Sequence, residues 1–272
     1  MIKLFKKDNR IYHIASMARS GETLMLKTLA VHPEIVVVHN LDKNDDIVKT
    51  QAFEFLKSYK KESIPRNHPV IKPYNLSKSQ ILLLKQGVWK HPYPFKGFVL
   101  SRNPISIYAS LKVYDKDLPE YHDKDNFWFG NKERIFRWLK DIDKESIPLF
   151  KRKTPVEQFC MFYNLRMKQL LDTKLPIIRY EDLILNTEVT LKKVCGLLNV
   201  GMDKKLLSAH DFYGSGLEGH GKNDLSKPID TSSLTKYKKN ITKFEFDYIA
   251  KNTFHVYNQY GYKIVDFKVD LE

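Results

Sequence analysis

The chain has 272 residues, 42% of them hydrophobic, and a formal charge of +14 at pH 7. That is enough for one α/β domain with a sizeable core, and a single domain over 1–272 is expected. The two cysteines, Cys160 and Cys195, exclude a disulfide scaffold and a cysteine-rich zinc site. The basic charge attracts anions, although the lysines are dispersed and equally describe a solvated surface.

The N-terminal MIKLFKKDNR lacks an apolar signal core, and no apolar run is long enough to span a bilayer, so a soluble cytoplasmic protein is expected. Ile11 to Ser16 is short and rich in β-formers, as in a strand. Met17-Ala18-Arg19-Ser20-Gly21 breaks that pattern, and Glu22 to Val31 then shows helical spacing. Pro33 stops the helix, because a proline disfavours helical backbone before it. Ile35 to Val38 reads as a second buried strand.

A strand that turns through a glycine into a helix start is an anion-binding device. The first helical N–H groups have no internal partners, and the helix dipole favours negative charge there. Gly21 permits the sharp turn and close backbone approach. Ser20 and Thr23 offer hydroxyls, and Arg19 a permanent positive fork. Taken alone, the turn fits equally well an ordinary βα connection with a solvated arginine. It is not a nucleoside-triphosphate P-loop, because no lysine follows Gly21.

Further along, Asp45 to Lys61 reads as a helix, Val70-Ile71 as a short strand inside a proline-rich loop, and Ser77 to Gln86 as another helix. Lys96 to Ser101 reads as a central strand. Asn103 is suited to cap the next helix and Pro104 to its first turn. Ser106 and Ser110 share one face of that helix. Arg102 falls at the carboxyl end of the strand, where open α/β sheets bind ligands. The aromatics between Tyr114 and Lys153 are first of all packing residues, with a helix over Ile135 to Ile142.

Val156 to Leu171 reads as a helix, Pro176 to Leu183 as strand then turn, and Thr187 to Leu198 as an amphipathic helix. Gly214 to Lys227 is a glycine-rich loop of the kind that moves or binds. Phe244 to Tyr260 is the last helix. Strands alternating with helices indicate an α/β fold with a central parallel sheet covered on both faces, and one domain of the three-layer P-loop nucleotide-binding type is expected.

Several of these segments carry a family resemblance. R-S-G-E-T-L, with His32-Pro33 thirteen residues after Arg19, resembles the 5′-phosphosulfate loop of sulfotransferases, which use 3′-phosphoadenosine 5′-phosphosulfate (PAPS) and release PAP. Glu22 departs from the family, which usually has a small hydroxyl residue there. R-N-P with a serine eight residues after Arg102 resembles the family's 3′-phosphate motif, and R-Y-E-D-L its strand end, where the tyrosine lies near the nucleotide. Ser226-Lys227-Pro228 resembles the late loop that closes over PAPS, with Tyr237 following where relatives often have tryptophan. Gly261-Tyr262 is also a familiar ending.

The resemblance implies that Arg19, Ser20, Gly21, Glu22, Thr23 and Leu24 form the 5′ cradle. It gives the 3′-phosphate to Arg102 and Ser110, a nucleotide contact to Tyr180, and a phosphate contact to Lys227, with Lys222 second. It implies sulfuryl transfer from PAPS to a hydroxyl or amine of an unidentified acceptor, such as a carbohydrate or small molecule. Arg19 would steady charge on the leaving phosphate oxygens, and no metal would be required. His39, at the end of the second strand, is the candidate base for the acceptor's proton, with Asp42, His13 and Glu22 as rivals. The alternatives are a nucleotide or small-molecule kinase on a degenerate P-loop, a basic nucleic-acid-binding protein, and a PAPS binder without activity.

Overall fold

The computed structural model describes residues 11–38, 76–85, 96–117, 136, 139–140, 142–213, 217–218 and 223–271. Five strands, Ile11–Ser16 (β1), Ile35–Val38 (β2), Ile81–Lys85 (β3), Gly97–Ser101 (β4) and Ile177–Arg179 (β5), lie in the order β2-β3-β1-β4-β5. Every pairing in this sheet is parallel. Parallel neighbours need crossover connections, and among the described residues helices supply those from β1 to β2 and from β4 to β5.

Glu22–Ala30 (α1) leads from β1 to β2 on one side of β1, whereas Pro104–Asp117 (α2) leaves β4 toward the other side. The chain direction therefore diverges between β1 and β4. In open α/β sheets a ligand crevice forms at such a point, outside the carboxyl ends of the strands. The register brings those ends level: Ser16 is beside Leu100, and Ser101 is beside Arg179.

Further α-helices among the described residues are Ser146–Lys151 (α3), Pro155–Asp172 (α4), Tyr180–Leu185 (α5), Thr187–Leu198 (α6) and Lys243–Tyr257 (α7). Alternation along the strands divides the core between the two faces. Ile14, Phe98, Leu100 and Ile178 pack against Met25, Leu26 and Leu29 of α1 and Leu191, Val194 and Leu198 of α6. Ala15 and Val99 face the opposite layer with Ile105 and Leu111 of α2, Phe159, Phe162 and Leu170 of α4, and Phe246 and Ile249 of α7. Helices α4 and α7 both begin with a capping box, Thr154 with Glu157 and Thr242 with Glu245. Each pair satisfies backbone donors that the helix itself cannot.

The expected three-layer α/β sheet is present. The segment from Ser77 to Gln86 differs from expectation: Ile81–Lys85 is a strand, inserted between β1 and β2. Ile81, Leu82, Leu83 and Leu84 are all buried. Leucine favours helix by only a few tenths of a kcal/mol per residue, which burial on both faces of a parallel sheet overrides. Arg179 is followed by the helix α5 rather than by a turn alone, and a hairpin of Tyr262–Val265 and Lys268–Leu271 follows the last helix. The expected helix over Asp45–Lys61 and strand at Val70-Ile71 lie outside the described residues. Among the described residues, no helix is long and apolar enough to cross a membrane.

Candidate nucleotide site

Between β1 and α1 the backbone turns sharply. Arg19 has φ 71° and Gly21 φ 94°. A left-handed arginine stores strain, and such strain persists only where the surroundings hold it. Here Arg102, the residue after β4, donates from Nη1 to the Arg19 carbonyl at 3.2 Å. The Arg19 side chain in turn donates from Nε to Ser110 Oγ at 2.9 Å. Ser110 faces the loop because α2 starts at Pro104, where Asn103 Oδ1 accepts from the Ser106 amide at 2.7 Å and caps the helix. The two arginine-bearing turns are thus joined to each other directly, though 83 residues separate them in sequence.

The third wall comes from the first residue of α5, just beyond β5. The Tyr180 ring lies against Gly21 so closely that a Cβ there would stand 2.2 Å from Tyr180 Cδ2. Arg102 stacks on the other part of this wall, its Cζ 4.3 Å from the Tyr180 ring centre. Such a contact contributes roughly 0.5–2 kcal/mol. Tyr180 donates its hydroxyl hydrogen to Ser233 Oγ at 3.0 Å, and Arg102 Nη2 donates to the Ser233 carbonyl at 3.3 Å. One serine therefore ties the polar segment after Pro228 to both side chains.

These walls enclose a cavity of about 610 Å³. Arg19, Gly21, Glu22, Thr23 and Leu24 line it from the loop and helix start. Arg102, Ser110 and Tyr180 line it from the adjoining strand ends, and Lys227 from its rim. The Lys227 side chain is 72% exposed and pairs with Asp224 at 3.2 Å. An exposed pair of this kind is weak and readily exchanged for a stronger anion. Ser20 is fully buried and does not line the cavity, and its hydroxyl has no hydrogen-bond partner among the described residues. Arg102 Nε is likewise buried without a partner there.

Glu22 is buried, and its Oε1 accepts from the Ser16 hydroxyl at 2.9 Å. His13, a rival for the base, sits inside β1, where burial pushes its imidazole down to about 3. That is far too weak a base for a hydroxyl at neutral pH, and His13 does not line the cavity. His39, Asp42 and Lys222 lie outside the described residues. No group of three or more His, Cys, Asp or Glu is placed to hold a metal among the described residues.

Ser232, Ser233, Lys236 and Asn240, which belong to none of the motifs, also line the cavity. Their signal was present but unspecific: Asp230 followed two residues later by a serine is a turn-capping pattern, and Asp230 Oδ1 does accept from the Ser232 amide at 2.7 Å. Glu181, which R-Y-E-D-L contains without a role of its own, supports the site from below. Glu181 Oε1 accepts from the Asn103 amide at 3.1 Å and from Asn103 Nδ2 at 2.6 Å, while Oε2 accepts from Tyr262 Oη at 2.9 Å. This buried carboxylate fixes the turn that carries Arg102. Arg179 adds a brace, pairing with Asp182 at 2.8 Å and donating from Nη1 to the Gly261 carbonyl at 2.7 Å.

No protein-family model and no curated protein matches this sequence. Solved structures do match. A sulfotransferase domain from the curacin biosynthetic pathway superposes with a TM-score of 0.54 at 18% identity, covering 94% of this chain and 99% of that one. The sulfotransferase domain of the Synechococcus PCC 7002 olefin synthase gives 0.55 at 16% identity, over 97% and 99%. A mouse sulfotransferase complexed with PAP gives 0.47 at 15% identity, over 90% and 84%. The chain has the α/β fold of the first two sulfotransferase domains along nearly its whole length.

Proposed function

We propose that this protein is a sulfotransferase that binds PAPS and transfers its sulfuryl group to a hydroxyl or amine. The observation that carries the reading is the direct junction of the two turns, Arg102 on the Arg19 carbonyl and Arg19 on Ser110. It sets two arginines and a helix N-terminus around one cavity, a spacing suited to a ligand with anionic groups at both ends. The residues fit such a nucleotide. Arg102 lines the cavity, and its Nε is a buried polar atom without a partner among the described residues. Orphaned groups of this kind are costly unless a ligand or water satisfies them.

When bound, PAPS supplies the activated sulfuryl group. The chain's own work is mostly alignment and charge placement. The N–H groups at the start of α1 hold the 5′ oxygens, and Arg19 balances charge on the leaving side. Arg102 and Ser110 hold the 3′-phosphate, Tyr180 positions the nucleoside, and Lys227 covers the phosphate from the rim. His39 takes the acceptor's proton.

The reading is tested by ligand-induced thermal shifts. PAP should stabilise the protein more than AMP, which lacks the 3′-phosphate, and far more than ATP with magnesium. Equal stabilisation by ATP and PAP would favour a kinase and overturn the proposal. For the base, His39→Ala should keep PAP affinity and lower turnover about 10²-fold or more, the usual contribution of acid–base catalysis. Near-normal turnover with PAP binding intact would move that role to Asp42.

A further inference from the structure

Beneath the anion loop lies a buried cation that none of the motifs contains. Arg166, in the middle of α4, is 0% exposed. Its Nε and Nη2 both donate to the Ser16 carbonyl, at 3.2 and 3.0 Å. Ser16 is the last residue of β1, and its hydroxyl donates to Glu22 Oε1 at 2.9 Å. Guanidinium, strand end and the first side chain of α1 thus form one buried chain, directly under the turn that Arg19 and Gly21 shape. Burial pulls the Arg166 guanidinium down to about 10, with Tyr260 and Glu22 acting in the opposite sense, so it stays charged at neutral pH.

Glu22 poses an electrostatic problem that this chain solves. The dipole at a helix N-terminus is equivalent to about half a positive charge. A full negative charge at the first helical position outweighs it and weakens any anion site built there. A buried carboxylate is also unfavourable without a cation or strong donors near it. Arg166 and the Ser16 hydroxyl answer both needs.

We propose that Arg166 is the counter-charge of the anion loop, a positioning residue that balances Glu22 and, through Ser16, keeps the α1 amides electropositive toward the 5′ end of the nucleotide. The ligand half of this statement rests on the PAPS reading; the pairing itself does not.

The test is a cycle of Arg166→Met, Glu22→Gln and the double variant, read by unliganded melting temperature and by PAP affinity in titration calorimetry. Arg166→Met should melt lower and bind PAP about tenfold more weakly, the size of one charge interaction at short range. Glu22→Gln keeps an acceptor for Ser16 and should bind PAP several-fold more tightly. The double variant should return to within about threefold of wild-type affinity and regain at least half of the lost melting temperature, as coupled sites do. A double variant no better than Arg166→Met in both readouts overturns the proposal, as does unchanged or weaker PAP binding by Glu22→Gln. If Arg166→Met does not fold, the sign of the Glu22→Gln effect decides. If the wild type fails to bind PAP, the function reading fails, while the melting-temperature cycle still decides the pairing.

Discussion

Gly21→Ala is expected to lower PAP affinity by at least about 10²-fold while leaving the protein folded. Two costs act together. At φ 94° an L side chain is strained, by roughly 1–2 kcal/mol. The added Cβ also meets Tyr180 Cδ2 at 2.2 Å and Cε2 at 2.6 Å. Neither atom can yield alone, because the ring is held at its hydroxyl by Ser233 and carries Arg102 on its face. Moving the ring moves Arg102, which then loses its position relative to the Arg19 carbonyl. A single methyl group therefore disturbs both ends of the cavity. Titration calorimetry with PAP on Gly21→Ala and wild type measures the loss. A loss below about tenfold would mean that the Tyr180–Arg102 wall is not part of the binding geometry.

Glu181→Leu is expected to cost about 1–3 kcal/mol of folding stability, the range for leaving a buried hydrogen-bond donor without its acceptor. The leucine fills the volume but leaves the Asn103 amide without its acceptor, while Asn103 Nδ2 keeps Ser106 Oγ and the Tyr262 hydroxyl keeps Ser101 Oγ. Asn103 and Tyr262 are both buried, so water does not replace the carboxylate. Each buried polar group left without a partner costs about 1–3 kcal/mol. Urea unfolding monitored by circular dichroism gives the value. A loss under about 1 kcal/mol would show that the turn before α2 holds its shape without the carboxylate. Glu181→Gln keeps an acceptor at one position and should fall between the two.

The sequence determined the local elements wherever the pattern was both local and strong. Ile11–Ser16, Ile35–Val38 and Thr187–Leu198 form as read, because alternation, turn residues and helical spacing agree there with burial. The sharp turn between β1 and α1 was legible for a related reason: it needs a positive φ, and Gly21 writes that need into the sequence. Asn103 and Pro104 announced the start of α2 in the same way.

What the sequence left open was decided by contacts between distant segments. Ile81–Leu84 is a strand because the gap between β1 and β2 admits only an extended, doubly buried run, and no local pattern of four apolar residues encodes that gap. Ser233 joins the site through its backbone carbonyl as well as its hydroxyl, and a carbonyl leaves no mark on residue type. Glu181 and Arg166 read locally as members of a strand–turn segment and of an amphipathic helix. Their partners lie 78 and 150 residues away. Only the parallel sheet, by setting the ends of β1, β4 and β5 level, turns a buried carboxylate and a buried guanidinium into supports for one cavity.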